Sequence, residues 1–292
     1  MQIVTVIFMF FFFLFSPAFL MAEELIFAGD VTLARNISSD QRKFFEKKTR
    51  ERIGRASLFL WNAEFSGLSD TLKNNRFVFS ADSDSVKYMK FPNGIAMVAN
   101  NHAFDGKEKG FANLVKSLID HKMPYAGLRN FDTARNFLPV ISEGRKYYIL
   151  GFSPMVEPHP MPFATTRYGD VKASLKFLKT VKNDSDRIIV YVHDGIENKS
   201  GISQRQKDTV RELSALGADI VAFAHSHTYA DPERIGDTLV LWGLGNFIFG
   251  GNLKWCNHND VRLVSVDPET LEWKWLKGKT REYVFSLKEE DL

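Results

Sequence analysis

The feature that most constrains this chain is a set of short apolar runs, each of which stops at a side chain able to bind a metal or move a proton. The clearest lies within Gly217–Phe249, where Ile220-Val221-Ala222-Phe223-Ala224 is followed by His225 and His227. A run of that length and composition reads as a buried strand. Two residues apart on an extended backbone, the imidazoles point to one face. Converging imidazoles make half of a metal site, although by themselves they equally describe two polar loop histidines. Four other runs behave alike. Glu24–Ala28 stops at Gly29-Asp30, Ser57–Trp61 at Asn62-Ala63-Glu64, Ile95–Ala99 at Asn100-Asn101-His102, and Arg187–Val192 at His193-Asp194-Gly195.

Helical spacing fills the intervals. Glu108–His121 places Phe111, Leu114, Val115, Leu118 and Ile119 on one stripe. Ser83–Lys90, part of Arg35–Arg55, Val171–Val181 and Gln204–Leu216 also read as helices, the last closed by Gly217. Further strands are expected at Leu138–Ile141, Tyr147–Phe152, Thr238–Trp242, Val261–Val266 and Leu271–Trp275, with Asp267–Thr270 as the turn between the last two. Pro154–Pro162 reads as a surface loop carrying His159, while His121 and His258 read as surface residues. Strands alternating with helices predict an α/β fold. In such sheets functional groups gather at the carboxyl ends of strands. Asp30 as a helix cap, Glu64 as a surface carboxylate and Asn101 as a turn residue are the ordinary alternatives. Capping does not account for ligand-type residues at five strand ends together, and that convergence favours a metal site.

Composition narrows the setting. The 292 residues are 45% hydrophobic and 25% charged, as in an ordinary globular protein. The net charge is +3 without a long basic block, which argues against a nucleic-acid partner. Ile3–Leu20 is nearly all apolar, uncharged and rich in phenylalanine, with Met21-Ala22 before Glu23-Glu24. It reads as a secretory signal peptide cut near Ala22, or as an uncleaved membrane anchor, and both place the rest outside the cytoplasm. The expected division is residues 1–22 as that segment and 23–292 as a single domain with its core at about 25–250. Cys256 is the single cysteine, so no intrachain disulfide can form.

Taken in order, Gly29-Asp30, Asn62-Ala63-Glu64, Asn100-Asn101-His102-Ala103-Phe104-Asp105, His193-x-Gly195-x-Glu197, His225-Ser226-His227 and Leu244-Gly245-Asn246-Phe247 resemble the capsule synthesis protein CapA family. That family is associated with poly-γ-glutamate capsule production and is similar to the calcineurin-like metallophosphoesterases. The resemblance spans about Leu25–Phe249. Ala63, Phe223, Ser226, Gly106-Lys107 and Asp194 depart from the usual pattern around the site, yet every ligand-type side chain is kept.

The resemblance implies a four-layer α/β/β/α sandwich of the metallo-dependent phosphatase type. It implies two divalent ions, manganese, iron or zinc, with Asp30 and His227 on one, Asn101, His193 and His225 on the other, and Glu64 between them. His102 would be the general acid for the leaving group. Asp105 would either orient His102 or cap the next helix. Asp194, Glu197 and Asn246 would touch substrate or support the ligands. The implied function is an exported, secreted or periplasmic hydrolase acting on an anionic envelope polymer or a phosphorylated precursor, with an envelope polymer-synthesis complex as the implied partner. The alternatives are a non-catalytic polymer-binding subunit of the export machinery and a phosphodiesterase of small nucleotides.

Overall fold

The computed structural model describes residues 23–34, 37, 43–68, 78–130, 135–155, 164–250 and 256–292. The apolar segment at 3–20 and the loop histidine His159 lie outside the described residues. In chain order the strands are β1 (Leu25–Thr32), β2 (Leu58–Ala63), β3 (Gly94–Met97), β4 (Tyr125–Ala126), β5 (Leu138–Ser142), β6 (Arg145–Phe152), β7 (Arg187–His193) and β8 (Ile220–Ala224). They continue as β9 (Tyr229–Ala230), β10 (Glu233–Ile235), β11 (Thr238–Leu241), β12 (Gly243–Leu244), β13 (Asn246–Phe249), β14 (His258–Val266), β15 (Trp273–Arg281) and β16 (Val284–Leu287). The helices are α1 (Lys47–Gly54), α2 (Lys107–Asp120), α3 (Tyr168–Val181) and α4 (Gln204–Ala215).

One sheet has the order β16-β15-β14-β1-β2-β3-β4, with β13 also pairing β1, and a second has the order β10-β11-β8-β7-β6-β5. Side-chain alternation along β1 explains how they stack. Leu25 and Phe27 face the space between the sheets, where they join Leu58, Leu60, Ile189 and Ile220. Ile26 and Ala28 face the other way, into a core with Ile53 of α1 and Phe111, Leu114 and Leu118 of α2. The second sheet repeats the device, turning Ile188, Val190, Val221 and Phe223 outward onto α3 and α4. Strands covered on both faces need apolar residues at every position, which is why they read as unbroken runs. The result is the four-layer α/β/β/α arrangement.

Parallel pairing within β1-β2-β3 and within β6-β7-β8 carries the carboxyl ends of each set to one end of its sheet. Element bounds differ from expectation where a neighbour decides them. β1 does not stop at Asp30. It continues to Thr32 because β13 pairs with it at Asp30 and Thr32, beyond the reach of β14. The run after Asp267 begins as a strand at Trp273 rather than Leu271, because Leu271 sits in the turn at φ 56°. β15 then extends to Arg281, held by β14 on one side and β16 on the other.

Candidate metal centre

Five strand-end segments converge. Asp30, in the last part of β1, is fully buried. Its Oδ1 accepts from the Asn62 side chain at 2.8 Å and its Oδ2 from the backbone N–H of His225 at 3.0 Å. His227 Nδ1 stands 3.2 Å from the same Oδ2 and 2.8 Å from Asn246 Oδ1. The close approach behind Asp30 requires glycine: a Cβ on Gly29 would lie 1.9 Å from the Gly245 carbonyl oxygen. His225 and His227 have positive φ angles of 96° and 56°. Such backbone costs free energy for a side-chain-bearing residue and persists where surrounding structure fixes it.

His193 ends β7 and is fully buried. Its Nδ1 contacts the Asn62 amide at 3.0 Å. Three groups crowd its Nε2: Asn101 Oδ1 at 2.7 Å, His225 Nδ1 at 3.2 Å and Glu64 Oε1 at 3.6 Å. One ring nitrogen cannot satisfy all three. Glu64 itself is 0% exposed, and neither of its carboxylate oxygens has a hydrogen-bond partner among the described residues. Ligand atoms of Glu64, His193 and His225 lie within 4.8 Å of one another, and so do those of Asp30, Glu64 and His227. The two triads share Glu64, the geometry a bridging carboxylate needs.

Charge follows the same pattern. Burial pushes the Asp30 carboxyl up, but His227, His193 and Asn62 outweigh it and hold the value at about 2. Burial pushes Glu64 well above the carboxylate range, helped by the negative charges of Asp30, Glu197 and Asp105. Burial pushes His193 and His225 down, against the pull of Asp30. For His227, burial is overcome by the hydrogen bond and charge of Asp30, and its value rises. Glu64 is thus a buried carboxyl without a hydrogen-bond partner among the described residues, set beside the Asp30–His227 pair and two further imidazoles, and the mixed oxygen–nitrogen donors suit a divalent transition metal.

The remaining sequence-selected residues separate by position. His102 Nδ1 lies 2.7 Å from Asp105 Oδ2, while its Nε2 faces Glu64 at 4.0 Å. Asp105 also accepts the Phe79 N–H at 2.6 Å, and the Phe79 ring lies against the imidazole with centroids 4.1 Å apart. Helix α2 is preceded by Gly106 without a side-chain cap, so Asp105 orients His102 and does not cap the helix. Asn246 reaches the His227 ring rather than the surrounding backbone. Glu197 is exposed and stands 3.9 Å from His225 Nε2. Asp194 is buried and turned to its own loop, accepting from the Gly195 N–H at 2.8 Å and from Arg205. His121 pairs with Asp84 on the surface at 2.7 Å.

Sequence reasoning missed Asn62 and Asn100 as organisers. Asn62 bridges Asp30 and His193, and Asn100 holds the Asn62 side chain and the Ala63 carbonyl while accepting the His102 N–H. Their position beside Glu64 and Asn101 was the available signal.

The family described as "Bacterial capsule synthesis protein PGA_cap" matches residues 24–251. The chain is 26% identical over 194 residues to the "Capsule biosynthesis protein CapA" of Bacillus anthracis, covering 63% of this chain and 47% of that one. It is 23% identical over 263 residues to the "PGA biosynthesis protein CapA" of Bacillus subtilis (strain 168), covering 82% and 66%. It therefore spans between about half and two thirds of the length of these curated relatives. Among solved structures, a 5'-nucleotidase from Candida albicans SC5314 superposes with a TM-score of 0.52 at 13% identity, over 90% of this chain and 54% of that one. At that identity the likeness shows the fold, which is metallo-dependent phosphatase-like.

Proposed function

The chain belongs to the PGA_cap family of bacterial capsule synthesis proteins, and from that premise we propose that it is a metal-dependent hydrolase of capsule or envelope polymer metabolism. Its substrate would be an anionic polymer or a phosphorylated precursor, met outside the cytoplasm as the apolar Ile3–Leu20 segment suggests. The observation that carries the reading is Glu64, a buried carboxyl without a hydrogen-bond partner among the described residues, placed where two triads of ligand-type atoms meet. Asp30 and His227 would hold one ion, and His193, His225 and Asn101 the other, with Glu64 between them.

When bound, divalent ions would activate water and neutralise charge on the substrate oxygens. The chain's own residues supply the rest. Asn62 fixes the relative positions of Asp30 and His193. Asp105 and Phe79 hold the His102 ring so that Nε2 faces the centre. From there His102 gives a proton to the leaving-group oxygen. Asn246 holds the His227 ring through Nδ1. Glu197 is the exposed carboxylate nearest His225, at the approach to the centre.

The test is metal analysis of the purified protein paired with hydrolysis of a generic phosphodiester. Wild type should carry about two transition-metal ions per chain and hydrolyse the diester, while Glu64→Ala should lose both metal and activity. Wild type that holds no metal, and gains no thermal stability from manganese, iron or zinc, would leave the non-catalytic polymer-binding subunit as the answer.

A further inference from the structure

β15 carries a second pattern that the metal centre does not use. Residues 276, 278 and 280 are buried, whereas Lys277, Lys279 and Arg281 are exposed and alternate with them. Their side of the strand begins with Trp273 and Trp275, whose rings meet edge to face at 6.1 Å. Directly opposite Lys277, on β14, stands Arg262. Its guanidinium lies over the Tyr229 ring at 5.2 Å and the Trp275 ring at 5.6 Å. Trp273 and Trp275 pack at the margin of the core between the sheets. The second sheet ends at β10, and Trp275 donates its indole N–H to Asp231 just before that strand at 2.9 Å, while Lys277, Lys279 and Arg281 stay exposed.

Stability does not account for the pattern. Like charges directly opposite or in a row on one sheet face destabilise it. Arg262 is offset by Asp260, which it grips through both nitrogens at 2.7 and 2.8 Å. Among the described residues Lys277 and Lys279 form no side-chain ion pair, although Asp291 accepts the Lys277 backbone N–H at 2.8 Å and the Lys277 charge helps hold the Asp260 carboxyl down. Their spacing along the strand is about 7 Å, the repeat of alternate residues in an extended chain.

The stripe also has a direction. Trp273 is paired with Val266, and Val266 with Leu25, so the stripe starts level with the beginning of β1. It runs toward Arg281 at the same end of the sheet as Asp30, with β15 two strand spacings, about 10 Å, from β1. Tyr229 joins the two places. It follows His227 by two residues, donates to the Asn246 carbonyl at 2.9 Å, accepts the Arg262 N–H at 3.0 Å, and packs on Trp275 at 5.7 Å.

We propose that the Trp273–Arg281 face with Arg262 is a docking track for an extended polymer of carboxylates, leading one end of it to the metal centre. The choice of a carboxylate polymer rests on the capsule-polymer reading given above. The track itself rests on the charge and the geometry. Trp273 and the uncovered part of Trp275 seat the polymer backbone, and Lys277 and Lys279 face successive anionic groups, with Arg281 held beside them by Asn259 at 2.6 Å.

The experiment uses fluorescently labelled poly-γ-glutamate and the full protein, read by polarisation. The variant is Lys277→Glu with Lys279→Glu, both exposed and outside the candidate centre. The expected result is polymer binding weakened about tenfold or more, with thermal melting not lowered, since Lys277→Glu sets an opposite charge across from Arg262, and with hydrolysis of a small phosphodiester unchanged. Wild-type binding should fall as salt is raised. Affinity for the polymer unchanged by the double reversal would overturn the track. So would wild type that does not bind the polymer, or that binds single-stranded DNA of matched charge as tightly, since aromatic and basic surfaces also suit that ligand. Wild type that binds through the track but holds no metal would overturn the hydrolase reading and leave the track standing.

Discussion

Glu64 shows how one residue can indicate chemistry. Burying a carboxylate without a partner costs several kcal/mol, to within a factor of a few, and the protein does so beside Asp30 and three histidines. His102 differs from its neighbours because its Nδ1 is committed to Asp105 and only Nε2 faces the centre. His102→Ala should therefore keep metal and fold yet lose about 10²- to 10⁴-fold in activity. The loss should shrink for nitrophenolate esters, whose leaving group needs no proton. Asp30→Ala should lose metal and activity on every substrate. Paired assays with good and poor leaving groups, with metal counted in each variant, check this, and equal losses on both substrates for His102→Ala would reject the general-acid role. At this scale the sequence was informative, since Asp30, Glu64, Asn101, His102, His193, His225 and His227, the ligand-type residues chosen from strand ends, lie together, whereas Asp194, expected to touch substrate or support the ligands, does not join them. Asp194 turns away because Arg205 and the Gly195 N–H claim its carboxylate. Nothing in the order of residues 193–205 announces that ion pair.

Between elements, β1 is held at both ends. Its start is pinned by Glu24, whose carboxylate takes both Arg52 guanidinium nitrogens from α1 and the Ser265 hydroxyl from β14. Burial raises the Glu24 value, but Arg52 and Ser265 outweigh it, so the folded value lies below the ordinary 4.5. Ionised Glu24 thus favours the folded state fully above that ordinary value, and the contribution is lost as pH falls through the lower, folded value. Glu24→Gln should cost about 1–2 kcal/mol at neutral pH, between the exposed and buried extremes for ion pairs. Urea denaturation of both proteins should show the difference narrowing as pH is lowered from 5 to 3 (roughly the window set by the free carboxyl). A difference that does not change with pH would assign the loss to packing. The far end of β1 was misjudged by sequence for a definite reason. Gly29-Asp30 looks like a strand stop, but β13, more than two hundred residues away in sequence, supplies the pairing that carries β1 on to Thr32.

For the molecule as a whole, the candidate centre lies between the two sheets. Asp30 and Glu64 come from the carboxyl ends of β1 and β2 in the first sheet, and His193 and His225 from those of β7 and β8 in the second. A metal held there would clamp the layers together, so occupancy should appear as global stability. Saturation at 100 times the dissociation constant adds about 2.7 kcal/mol, several degrees in melting temperature for a chain of this size. Chelation should lower the melting temperature of wild type by that order, and His225→Ala should remove the response. A melting curve indifferent to chelator and metal would show that no clamp exists. The sequence alone determined the α/β alternation and the ligand-type side chains at strand ends, because burial on both faces forces unbroken apolar runs and because function collects where such runs end; the four-layer stacking was implied only by the family resemblance. Only the tertiary structure decided which ligand-type side chains gather around Glu64, which carboxylate is spent on Arg205, and that Lys277 stands opposite Arg262 on the neighbouring strand. Those outcomes depend on contacts between residues far apart in sequence, and local pattern carries no information about who the partner will be.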